Sequence, residues 1–140
     1  MIGAIIAKSN TRKAFKALNN HDIETFMSLW HEDGSYTYPG NVSASGTHQG
    51  KDAVRSWFER FFQKFPEIQF TLNNICVDRI FDMTGKNTVI TDWTIEYINN
   101  SGVKVQNIGI DVVKIDGGKV TGIRAFFFYP ERLKDAWGET

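Results

Sequence analysis

Val105-Gln106-Asn107-Ile108-Gly109-Ile110-Asp111-Val112-Val113 sets a single carboxylate in the middle of an otherwise apolar β-run. An ionised carboxylate is expensive to remove from water unless it is paired or protonated, so a charge there points to a task. Alternation sends Val105, Asn107, Gly109, Asp111 and Val113 to one face of the strand, and Gln106, Ile108, Ile110 and Val112 to the other. The first face carries polar groups able to converge on a ligand, and the second is nearly all β-branched. This pattern predicts a sheet covered on both sides, by a cavity on one and a partner on the other.

Outward from this strand, β-rich segments run over about 67–81, 87–98, 103–115 and 119–129, with Asn99-Asn100-Ser101-Gly102 and Asp116-Gly117-Gly118 as hairpin turns. The chain before Pro66 has a helical period instead. Ala14, Phe15 and Leu18 mark a first helix over roughly residues 5–19, and Asp22 caps a second whose stripe of Ile23, Phe26, Met27 and Trp30 ends near His31. Ser35–Tyr38 reads as a short strand, closed by Pro39-Gly40 and a loop of small residues. From Lys51, an aromatic stripe of Val54, Trp57, Phe58, Phe61, Phe62 and Phe65 forms a third helix that Pro66 stops. Helices first and strands afterwards predict one α+β domain over residues 1–140, with three N-terminal helices packed on a curved antiparallel sheet.

Sixteen basic residues balance sixteen acidic ones, which argues against a nucleic-acid partner. The one cysteine, Cys76 in Asn74-Ile75-Cys76-Val77, reads as a buried small hydrophobe. No apolar run reaches the length of a membrane span and the N-terminus lacks a basic leader, so a cytoplasmic protein with no membrane partner is expected. His21, His31 and His48 lack the spacing of a metal site, and no nucleophile elbow, phosphate loop or dinucleotide fingerprint occurs. Neither metal nor cofactor is expected.

Three blocks resemble the nuclear transport factor 2-like superfamily, in its SnoaL-like and ketosteroid isomerase-like branch. Asp22 to Pro39 is similar to the block D-[IL]-x(5)-[LM]-[YW]-x-x-D-x(5)-P, Gly50 to Phe58 to the start of the third helix, and Ile110 to Phe127 to the end of the sheet. The resemblance implies a cone-shaped α+β barrel around a ligand cavity, and a homodimer formed through the outer sheet face. Ketosteroid isomerases use a proton-shuttle aspartate and an oxyanion hole made of a tyrosine and a neutral aspartate. Asp111 falls on the oxyanion-hole aspartate, Tyr38 on the proton shuttle and Ala14 on the oxyanion tyrosine. The arginine and two aspartates of limonene-epoxide-hydrolase-like members fall on Trp93, Ile95 and Ala125, which excludes that chemistry.

The expected site therefore centres on Asp111, with Tyr38 or His48 as an acid partner and His48 at the mouth of the pocket. Trp30, Tyr36, Trp57, Trp93, Asn107, Ala125 and Phe127 are the expected ligand contacts. Such a wall suits a small hydrophobic molecule, planar or alicyclic, undergoing isomerisation or cyclisation. Two alternatives stay open: a binding module without turnover, and a dimerisation domain whose core is filled and whose Asp111 is satisfied by protein groups. For the outer face, a second copy of the chain competes with the C-terminal segment 130–140, in which Leu133 and Trp137 offer apolar cover.

Overall fold

A computed structural model describes residues 2–139, the side chain of Ile2 excepted. The chain runs α1 (Ile2–Asn19), α2 (Ile23–Met27), β1 (Trp30–Tyr38), β2 (Gly46–Gln49), α3 (Lys51–Lys64), β3 (Glu67–Val77), β4 (Asn87–Ile98), β5 (Lys104–Asp116), β6 (Lys119–Phe127) and α4 (Arg132–Trp137). One curved, unclosed six-stranded sheet has the order β2-β1-β6-β5-β4-β3. Its pairs are antiparallel except β1 with β6, which run parallel.

Local chemistry accounts for the helix ends. Asn19 stops α1 and ties it to the sheet, donating from Nδ2 to the Phe70 carbonyl at 3.0 Å and accepting from the Phe70 amide at 2.7 Å. The Asp22 carboxylate accepts from the Thr25 amide at 3.1 Å, satisfying a free donor at the start of α2. Pro66 follows α3, whose stripe of Val54, Trp57, Phe58 and Phe61 is buried against the sheet. Phe15 meets Phe70 edge-on at 5.4 Å, locking α1 to β3.

Four features depart from the sequence reading. α2 ends at Met27, because Trp30 already pairs with Val120 and opens β1 as a nine-residue strand. Gly46–Gln49 is a strand, its backbone pairing with Ser35–Tyr38. The C-terminal segment forms α4, closed by Gly138 in the left-handed conformation at φ 69°. Its Leu133, Ala136 and Trp137 enter the main core rather than the convex face. Cys76 is exposed. A bulge between Leu72 and Asn74 inverts the alternation of β3, so Ile68, Phe70 and Leu72 face inward before it and Ile75 and Val77 after it.

Candidate active site around Asp111

β4 and β5 pair antiparallel, Thr91 opposite Asp111 and Trp93 opposite Gly109. The concave face thus presents Val89, Thr91, Trp93, Ile95 and Tyr97, all buried. Gly109 makes room for Trp93: a Cβ there would lie 2.3 Å from the indole and 2.5 Å from the Phe126 carbonyl oxygen. The indole therefore packs against Gly109 of β5, meeting Phe70 and Phe127 edge-on at 5.3 and 5.1 Å.

Between this face and helices α1–α3 lies a cavity of about 80 Å³. An apolar hollow of about 150 Å³ holds one benzene, so a ring fits here only where it also extends into the mouth. Its walls are mostly apolar, and among the described residues no lysine, arginine or histidine lines it. Asn10 and Thr11 of α1, Leu29, Gly118 and Val120 line one end and keep part of their surface exposed, so the mouth opens between α1 and the β5–β6 turn.

Asp111 lines this cavity, and burial pushes its carboxyl up to about 7 from an ordinary 3.8. Trp93 Nε1 and Thr91 Oγ1 lie beside it and temper the rise, yet neither completes a hydrogen bond of normal geometry. Near neutral pH the group is shared between acid and carboxylate, which fits it to give or take a proton. Burial, and then the charge of Asp111, hold the Tyr36 phenol well above its usual value. Tyr38 and Tyr97 are raised as well, chiefly by burial. These three phenols are hydrogen-bond donors, not bases. Tyr38 Oη accepts from Trp137 Nε1 at 3.0 Å, leaving its own proton free.

Of the residues expected at the site, Asp111, Tyr38, Trp30, Tyr36, Trp57, Trp93 and Phe127 line one cavity. His48, Asn107 and Ala125 do not. His48 Nε2 lies 3.1 Å from the Ala44 carbonyl, its ring 6.2 Å from that of Trp57. Asn107 is buried and clamps the backbone after β6, donating to the Tyr129 carbonyl at 2.9 Å and accepting from its amide at 3.1 Å. Ala125 is core filling opposite Asp111. Thr91 and Tyr97 share the inward register of Trp93, as the alternation of this strand implies, and also line the cavity. The mouth residues left no sequence signal, because α1 and the turn meet only in three dimensions.

Among the described residues, no group of three or more His, Cys, Asp or Glu could hold a metal ion, and no helix is long and apolar enough to cross a membrane. The fold is shared with Bal32a from a soil-derived mobile gene cassette, at 20% identity over 96% of this chain and 98% of that one, TM-score 0.82. A protein from Bacillus subtilis matches at 22% identity over 100% and 98%, TM-score 0.81. RV0760c from Mycobacterium tuberculosis, solved with estradiol-17beta-hemisuccinate, matches at 16% identity over 86% and 92%, TM-score 0.71. No curated protein matches the sequence. The SnoaL-like domain covers residues 11–123, and the chain belongs to that family, within the nuclear transport factor 2-like superfamily.

Proposed function

We propose that this chain binds a small hydrophobic ring ketone in its concave cavity and isomerises it, with Asp111 carrying the proton. The observation that carries this reading is a lone carboxyl, pushed up by burial, in an apolar hollow that also contains phenol donors. As carboxylate, Asp111 takes a proton from the carbon next to the carbonyl. The C–H electron pair forms the enolate, whose oxygen, at the Asp111 end, accepts a hydrogen bond from Tyr36. Asp111 then returns the proton to a different carbon, and the carbonyl re-forms. Tyr38, at the position that the resemblance assigns to a proton shuttle, is too weak an acid to be the base and acts as a donor.

One observation favours binding without turnover as the second reading: no second titratable group lines the cavity with Asp111 other than high-pKa phenols. Deuterium exchange separates the two. Acetophenone incubated with the protein in heavy water is expected to exchange its methyl protons about 100-fold faster than with Asp111→Asn, the low end of general-base effects. Binding with no accelerated exchange leaves the carrier reading standing and removes the enzyme.

The convex face supports a homodimer. Ile90, Ile108, Ile110 and Phe126 on adjacent strands, with Phe128 just past β6, are all exposed, and an apolar patch of that extent marks an interaction surface. Nothing in α4 covers it. A second copy presenting the same face would bury it by a two-fold axis.

A further inference from the structure

Three buried polar atoms on β4 have no hydrogen-bond partner: Thr91 Oγ1, Trp93 Nε1 and Tyr97 Oη. Their residues are 0%, 2% and 2% exposed, and all three line the cavity. Leaving a buried donor unpaired is costly, so three in one hollow call for partners. They fall at two ends. Thr91 and Trp93 sit beside Asp111, whereas Tyr97 lies four residues beyond Trp93 on the same face, where its phenol acts on that of Tyr38.

The spacing is informative. Four residues of strand span about 13 Å, and two hydrogen bonds of about 2.8 Å leave roughly 7 Å between the polar atoms of an occupant. A para-substituted six-membered ring has that reach. At the Asp111 end the occupant must accept, because an indole N–H can only donate. At the Tyr97 end it can accept or donate, because a phenol does both. An anion finds no cationic side chain anywhere along the walls and meets Asp111 itself.

We infer that the ligand is a neutral one-ring compound with oxygen functions at opposite positions, its carbonyl beside Trp93 and Asp111 and its second oxygen bound by Tyr97. This deepens the ring-ketone reading above and rests on it. Tyr97 is the residue that selects the second oxygen, and it acts on binding rather than on proton transfer.

The test compares 4-hydroxyacetophenone, acetophenone and 4-hydroxybenzoate by calorimetry or ligand-observed NMR on the full chain. 4-Hydroxyacetophenone is expected to bind roughly five- to tenfold tighter than acetophenone, the worth of about one hydrogen bond, with 4-hydroxybenzoate weakest. Tyr97→Phe removes only an unpartnered hydroxyl, so it should fold with a melting temperature at least equal to that of the wild type. It is expected to erase the preference of 4-hydroxyacetophenone over acetophenone. Equal affinity for the two ketones in the wild type, or a preference that survives Tyr97→Phe, overturns the inference while the exchange still supports the ketone reading. The expected binding pattern without exchange does the reverse. Failure of both ketones to bind removes both.

Discussion

The two faces of the sheet are built from the same strands, one residue apart, and they solve opposite problems. On the concave side, Thr91, Trp93 and Tyr97 carry buried polar atoms without a hydrogen-bond partner, in the same cavity as the Asp111 carboxyl. On the convex side, Ile90, Ile110 and Phe126 are apolar groups left in water, Phe126 at 49% exposure. Unmet polarity inside and unmet hydrophobicity outside both cost stability, so each face points to something that binds there. The difference in kind separates the proposed occupants: a small polar-ended molecule within and a second copy of the chain without.

Breaking the concave side has the largest expected effect. Trp93→Ala removes an indole packed between Phe70 and Phe127 and should cost about 3–5 kcal/mol in denaturant unfolding. The equivalent truncation on the other face, Phe126→Ala, should change the unfolding of the monomer by less than about 0.5 kcal/mol. Next comes the carboxyl. The native state raises the pKa of Asp111, so it binds a proton that the unfolded chain has already lost, and wild-type stability falls as pH rises from about 4 to about 7. Asp111→Asn should be flat across that window, and at pH 8 it should exceed the wild type by on the order of 2–4 kcal/mol, the cavity's own solvation keeping the figure below the full shift. Gly109→Ala forces a methyl against Trp93 and a fixed carbonyl oxygen, for about 1–3 kcal/mol.

The smallest effects sharpen the convex side. Phe126→Glu should shift sedimentation from dimer to monomer while the fold persists, and an unchanged dimer would place the interface elsewhere. Cys76 lies on the same face, paired with Ile90. Its reaction with a thiol reagent should be slow at concentrations where the dimer forms and should quicken severalfold in Phe126→Glu.

This contrast was largely visible in the sequence, because a period of two is written directly into β4 and β5. The bounds of β4 and the inward direction of Asp111 follow from alternation alone. Where alternation breaks, so does the reading: the bulge at Asn73 turned Cys76 outward, and no local pattern announces a bulge between two asparagines. β2 was missed because Gly46-Thr47-His48-Gln49 is a mostly exposed edge strand with no apolar face. α4 was missed because six residues after a proline carry too short a period, although Leu133, Ala136 and Trp137 have helical spacing. At the site, aromatic wall residues were legible as inward positions. Asn107 was misjudged because an inward amide can serve the backbone as readily as a ligand, and only the path of Tyr129 decides between them.

The account stands on Asp111 as a half-neutral acid inside an apolar hollow. A carbon-detected NMR titration of the Asp111 carboxyl in the wild-type protein measures this directly. A midpoint close to 7 is predicted, and a midpoint close to the ordinary 3.8 would contradict it by showing a carboxylate that water already solvates.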